Sequence, residues 1–320
     1  MEAKYGLTVT AATGRTGVPA TSRAENRKHQ ATAERRRGQG RAGPAAPDRE
    51  VLRRQVRTAV AGFASMAEFF DRLRRDGLLV RERMSEQNPG EVTGYAVALP
   101  DRYDTGGKPI FFGGGKLASD LTLPRLQRRW QGAGAGARSV SGPTATAAGR
   151  AGARATAAAP KAFDRFGLTQ GERLRIWKQA TLAAAHAAEH ITASADSDPK
   201  AAADAAWAAS DFLSAAGRVV EGRRGGPLTD AAGSYDSAAR ELFGRIPPPS
   251  SAGAGLRAAG RLLLAAQVAK PSELRQVLTL LTQLAALSDS VTRLRETQRR
   301  SGQARAARQA AEQLRAAVGR

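Results

Sequence analysis

The chain contains no cysteine, only three histidines and three methionines, and aromatic residues make up 5% of its 320 positions. Without cysteine there is no disulfide framework, no thiolate zinc site and no cysteine nucleophile. With so few aromatics, any core must come from Ala, Leu and Val, a composition that favours helices packed through small side chains. Long apolar runs are missing too. The longest, Leu262 to Ala266, falls far short of the ~20 residues a membrane span requires. No apolar stretch follows Met1, so no export signal and no membrane partner are expected, and a cytoplasmic location follows.

Positive charge, by contrast, is abundant: 50 Lys and Arg stand against 29 Asp and Glu, a net +21. Most of these cations are arginine, whose planar fork suits bidentate contact with phosphate. A field of this sign calls for a polyanionic partner, of which nucleic acid is the commonest. The other source of such a composition is a GC-rich genome, which enriches Ala, Arg and Gly whatever the function. The charge is unevenly spread. Residues 51–130 hold 14 basic and 9 acidic groups and residues 271–320 hold 9 and 4, whereas residues 161–225 hold 9 and 8.

Four segments are expected. Residues 1–47, rich in Ala, Gly, Thr and Arg with a run at Arg35-Arg36-Arg37, read as a disordered basic tail. Residues 48–130 read as a small α+β module, residues 131–160 as a flexible cationic linker without acids, and residues 161–320 as a helical bundle with a long C-terminal helix. The fold class is therefore mainly α with a small α+β module: an α-α-β-β-β-α unit, a linker, then the bundle.

Within the module, Leu52, Val56 and Val60 at fourfold spacing mark a helix from Arg49 to Ala61. Ser65 and Glu68 form a capping box opening a second helix that presents Met66, Phe69, Phe70 and Leu73 and stops at Gly77. Strands are expected over Leu78–Met84, Val92–Leu99 and Pro109–Phe112, the first two joined at Asn88-Pro89-Gly90. Thr122 would cap a last helix running to Trp130, with Pro124 in its first turn. In the bundle, Thr169 with Glu172 and Asp198 with Pro199 open two helices; two more are expected over Thr229–Phe243 and Leu256–Ala269. After Pro271, Leu280, Leu284, Leu287, Val291 and Leu294 repeat at 4-3-4-3 spacing. That stripe either closes an intramolecular bundle or makes a homo-oligomer through residues 271–300.

Three motifs bear on chemistry. His186-Ala187-Ala188-Glu189-His190 has the H-x-x-E-H pattern of a zinc helix, but two ligands leave a zinc site incomplete, so no metal is expected. Gly113-Gly114-Gly115-Lys116 lacks the leading Gly and the trailing Ser or Thr of a phosphate loop, having Ile110 and Leu117 there; it reads as a strand-to-helix turn or a looser phosphate contact. Arg81 and Arg83 share one strand face by twofold alternation. With Lys116, Arg125, Arg128 and Arg129 they form the expected phosphate-contacting surface; the alternative is a solvated face paired with Glu82 or Asp120. No nucleophile stands beside a base, so neither a catalytic residue nor a cofactor is expected.

The segments Ala67-Glu68-Phe69-Phe70, Gly77-Leu78-Leu79-Val80-Arg81, Asn88 to Pro100, Gly113 to Ala118, Asp120-Leu121-Thr122-Leu123-Pro124 and Arg129-Trp130 resemble a module found after the nuclease domain of relaxase/mobilisation proteins from plasmids and integrative elements of high-GC Gram-positive bacteria. Ala205 to Asp211 and Tyr235 to Arg240 resemble the helical tail of that family, and Glu2 to Leu7 the segment that leaves its nuclease domain. Relaxases nick DNA with a tyrosine and a metal held by a histidine cluster. No His-x-His occurs here, so neither role passes to any residue of this chain. The resemblance implies an accessory region that binds DNA non-specifically in conjugative mobilisation, with the transfer machinery or a nuclease-bearing relaxase as further partners. Two alternatives stand beside it: a piece of an intact DNA-nicking relaxase whose nuclease domain lies upstream of Met1, and a helical self-association protein with no DNA role.

Overall fold

The computed structural model describes residues 22–40, 46–63, 65–104, 106–130, 167–223, 225–241, 245–265 and 269–319. The expected linker at 131–160 lies outside these residues. The architecture is mainly α with a small three-stranded antiparallel sheet of order β1-β2-β3.

Part of the expected disordered tail is instead a helix. Helix α1 (Arg23–Gly38) begins with a reciprocal box, in which Ser22 accepts from the Glu25 amide and Glu25 accepts from the Ser22 amide. Arg35, Arg36 and Arg37 occupy its last turn, where positive charge complements the helix dipole. Glu25 pairs with Arg49 at 2.6 Å and Arg36 with Asp101 at 3.3 Å, fastening the helix to the module. Low apolar content concealed it, although the cap was legible.

The module follows its expected order. Helix α2 (Asp48–Gly62) buries Leu52, Val56 and Val60. Helix α3 (Met66–Arg75) is capped by Ser65, which accepts from the Glu68 amide. It ends in a Schellman turn: Leu78 N donates to Leu73 O at 3.1 Å, Gly77 N to Arg74 O at 2.9 Å, and Gly77 has φ +82°. Strands β1 (Leu79–Met84) and β2 (Val92–Ala98) are joined by a type II turn with Pro89 and then Gly90, φ +87°, at its centre. Strand β3 (Phe112–Gly113) is shorter than expected, because Pro109 leaves the sheet to bridge to Tyr103. A one-turn helix α4 (Gly114–Leu117), a 3₁₀ turn (Ser119–Leu121) and helix α5 (123–130) complete the unit. Phe69, Phe70 and Tyr95 pack between α3 and β2, with the Phe69 and Tyr95 rings edge-on at 5.3 Å.

Six helices form the bundle: α6 (Gln170–Ser194), α7 (Pro199–Glu221), α8 (Pro227–Ala239), α9 (Ser251–Ala265), α10 (Leu274–Thr297) and α11 (Ser301–Val318). Both expected N-caps are present, Thr169 with Glu172 and Asp198 with Pro199. Helix α7 is buried almost all round, its alanines lying among Trp177, Trp207, Phe212 and Tyr235. A methyl-only surface lets neighbouring helix axes approach closely, which is how a chain poor in aromatics still fills a core.

The expected long C-terminal helix is broken. Arg299 has φ +55°, Arg300 N donates to Arg295 O at 2.8 Å and Arg299 N to Glu296 O at 2.8 Å. This is a Schellman ending with arginine where glycine is usual, so the sequence carried no stop signal. The hairpin is held by α8. Arg295, fully buried, donates to the carbonyls of Ala238 and Ala239, and Gln303 Nε2 donates to those of Ser237, Ala238 and Arg240. The orphan carbonyls at the end of α8 thereby gain donors from both sides of the turn, and α11 packs back along α8 and α10. Leu280, Leu284, Leu287, Val291 and Leu294 are all buried inside the chain, which is the bundle alternative for that stripe and leaves none of it exposed.

Helix α2 packs against α7 and α9, so the module and the bundle share a seam.

Candidate nucleic-acid interface

The strand pleat decides which arginines are presented. In β1, Val80 and Glu82 are half-buried while Leu79, Arg81 and Arg83 are exposed on the opposite face. Across the sheet Arg81 stands opposite Ala96 and Arg83 opposite Gly94, and Ala96 stands opposite Gly113 on β3. Residues in register share a face, so beside two long cations lies a floor of Gly94, Ala96 and Gly113 with almost no side chain. The result is a groove of about 700 Å³ with Gly114, Gly115, Thr122 and Pro124 along its other wall.

The cations on this floor are held in place. Arg83 Nε donates to Thr93 Oγ1 at 3.3 Å, and its guanidinium lies over Gly94, where an added Cβ would come within 3.3 Å of it. Arg81 lies over the ring of Phe111, 4.2 Å from the centroid, a cation–π contact that orders the head without neutralising it. Glu82, the acid nearest in sequence, is turned to the other face and pairs with Arg74. Arg81 and Arg83 therefore form no ion pair with it.

The remaining expected residues divide. Lys116 is exposed next to the groove-lining Gly115, and Arg128 is exposed on α5 with its Nε donating to Pro124 O at 3.4 Å. Arg125 is half-buried, and its Nη1 has no hydrogen-bond partner among the described residues. Arg129 does not belong to the surface. It is ion-paired with Asp211 of α7, and the two side chains are only 10% and 2% exposed. Burial, with Arg257 nearby, pulls its pKa below the ordinary guanidinium value, yet the charge persists because arginine does not lose its proton in proteins. The sequence groups Arg125, Arg128 and Arg129 on one helix, away from Leu126 and Trp130, but only the packing against the bundle shows that Arg129 faces it.

Arg129 is one member of a buried cluster at the seam. Arg57 Nη1 lies 3.2 Å from Asp120 Oδ2 and 2.9 Å from Asp236 Oδ1. Arg240 Nη2 lies 2.9 Å from the same Asp236 oxygen, which also accepts from Ser210 Oγ at 2.9 Å, and Arg240 stacks 4.5 Å over the Trp207 ring. Three arginines (57, 129 and 240) thus meet three aspartates (120, 211 and 236), a neutral set joining the module to α7 and α8. Asp120, one of the two acids that could have paired with the expected surface, is committed here instead. Burial pushes the Asp236 carboxyl above its usual range, against the pull of Arg57.

The structure also places two other motifs. Gly114 is buried, and a Cβ there would overlap the Leu121 carbonyl oxygen and come within 2.9 Å of the Tyr95 ring. The glycine run therefore lets the chain turn tightly under Tyr95, whose hydroxyl donates to Leu121 O at 2.8 Å. His186 and His190 lie one turn apart on α6, ring centroids 6.3 Å apart, and no third His, Asp or Glu joins them among the described residues. No helix among the described residues is long and apolar enough to cross a membrane. Sequence reasoning placed Phe111 in a strand but not in the site: it precedes β3, two strands away from β1, and only the tertiary structure brings its ring under Arg81.

Comparison of the chain with protein-family models, curated proteins and solved structures finds no match.

Proposed function

We propose that this chain is a non-catalytic, cytoplasmic DNA-binding accessory region of a mobilisation relaxase, contacting nucleic-acid phosphates through the open face of its sheet. The observation that carries this reading is the pair Arg81 and Arg83, exposed side by side over a glycine- and alanine-lined groove with Phe111 beside them. At Ala96 and Gly113 the floor carries almost no side chain, the guanidinium forks suit phosphate oxygens, and the Arg81 guanidinium, held over Phe111, is itself a plane on which a base can stack. Lys116 and Arg128 extend the positive rim. The net charge of +21 adds a long-range field that attracts a polyanion from any direction. The family resemblance supplies the setting, conjugative transfer of plasmid or integrative-element DNA, with the transfer machinery as a further partner.

The test is salt-dependent binding of the full chain to labelled duplex and single-stranded oligonucleotides by fluorescence anisotropy. Phosphate contacts release counterions, so the logarithm of affinity falls linearly with the logarithm of salt. In the double variant Arg81→Ala, Arg83→Ala the magnitude of that slope should fall by about 2, roughly one for each lost contact. An affinity indifferent to salt, or a slope unchanged in the double variant, would refute the assignment.

A further inference from the structure

Helix α1 carries charge that the sheet groove does not use, and its two sides differ. Glu25, His29, Thr32, Ala33 and Arg36 fall together at 3.6 residues per turn, and they are the only positions of the helix that are buried or half-buried. Ala33 alone is fully buried. The helix is fastened near its two ends, where Glu25 pairs with Arg49 and Arg36 with Asp101. Almost nothing of α1 enters the core, so what it adds to the molecule is its outer face.

That face is cationic. Arg27 stands at its middle, Lys28 and Arg35 on one flank, and Arg23 and Arg37 on the other. All five are exposed, and none of them is ion-paired among the described residues. Glu34 is the one acid that shares the face. Ala24 and Ala31 lie beside Arg27, so between the two charged flanks the surface is low.

We infer that α1 is a docking arm for duplex DNA, laid along the major groove with its cations on the phosphates of both strands. The inference rests on the reading that this chain binds nucleic acid, but it assigns a second surface to that binding. A helix of 16 residues is roughly 24 Å long and, with side chains, about 10–12 Å across. It therefore fits a groove about 12 Å wide. Cations on both flanks suit a groove bordered by two phosphate strands, whereas a single strand engages one flank only. The short alanines between the flanks let the helix sit close to the base edges. An anionic membrane also attracts such charge, but a helix that lies on lipid needs an apolar face, and α1 has none.

The test is fluorescence anisotropy of the full chain on a labelled DNA duplex across a salt series. The triple variant Arg27→Gln, Lys28→Gln, Arg35→Gln alters exposed side chains only and replaces them with a good helix former. Its salt slope should fall in magnitude by about 3, roughly one for each lost phosphate contact. A charge-matched variant on the bundle, Lys200→Gln, Arg275→Gln, Arg305→Gln, also removes three exposed cations and should keep the parent slope. Equal losses in the two variants would mean that net charge alone binds DNA, and would overturn the inference. Duplex RNA of the same sequence has a major groove too deep and narrow for side chains to read, so on it parent and α1 variant should match. A loss as large as that on DNA rules out the major groove. An α1 variant that keeps its DNA slope but no longer binds anionic vesicles assigns the face to lipid instead. The sheet groove stands or falls separately: if Arg81→Ala, Arg83→Ala lowers the slope by about 2 while the α1 variant leaves it unchanged, the groove reading survives and the arm does not.

Discussion

Replacing Asp236 by Ala tests the central claim about how the protein is held together. The carboxylate is almost wholly buried, lies 2.9 Å from both Arg57 and Arg240 through one oxygen, and accepts from Ser210 Oγ on that same atom. Its removal leaves two buried guanidinium groups with Asp120 as their nearest shared counter-charge, at 3.2 Å and 3.6 Å. Breaking a buried pair by deleting one partner costs about 3–5 kcal/mol, because the orphaned charge cannot return to water without unfolding its surroundings. For a chain of this size each kcal/mol shifts the melting temperature by about 2–4 °C, so a fall of roughly 10 °C is expected. Guanidinium denaturation followed by circular dichroism at a helical wavelength measures the difference directly. The comparison is Arg36→Ala, whose pair with Asp101 has side chains 36% and 57% exposed and should contribute at most about 1 kcal/mol. If Asp236→Ala costs no more than Arg36→Ala, the seam is not held by this cluster and the account of it fails.

Two further outcomes follow from local geometry. Arg299→Gly places glycine at the positive-φ position of the α10–α11 turn and should stabilise the protein by about 1 kcal/mol, read as a higher denaturation midpoint with an unchanged slope; a loss of stability would mean that the arginine side chain holds the turn. Although burial alone would raise it, Arg295 and Arg300 hold the Glu241 carboxyl below its ordinary value. Its contribution is therefore complete above the unfolded-state pKa of about 4.3 and disappears as pH falls through the lower folded value. Glu241→Gln should accordingly narrow the stability difference between pH 7 and pH 3, and urea titrations at the two pH values that show the same difference as the parent would contradict this.

Local signals in the sequence were strong enough to place most elements. Ser65, Thr169 and Asp198 each satisfy helix amides within three residues, Gly77 and Gly90 accept positive φ, and the fourfold spacing of Leu52, Val56 and Val60 can bury only one face. Caps, turns and periodicity act over a few residues, so they are written where they act. The same holds for Arg81 and Arg83, whose common face follows from the pleat alone. Where local rules were broken, the reading failed: Arg299 took a glycine's place and the expected long helix became a hairpin, while a polar helix at 23–38 looked like a tail.

By itself, then, the sequence determined the helix and strand order of the module, the caps that start the bundle helices, the cationic strand face, and the lack of any cysteine chemistry. The tertiary structure alone decided that Arg129 faces Asp211 rather than solvent, that the leucine stripe is covered by the chain's own helices, and that module and bundle meet in a charged seam. The reason is one of range. A side chain's backbone bonds and its face on a helix or strand are set by near neighbours, but whether a charge meets water or a counter-charge depends on residues far along the chain, such as Asp120 and Asp236, which both close on Arg57 Nη1.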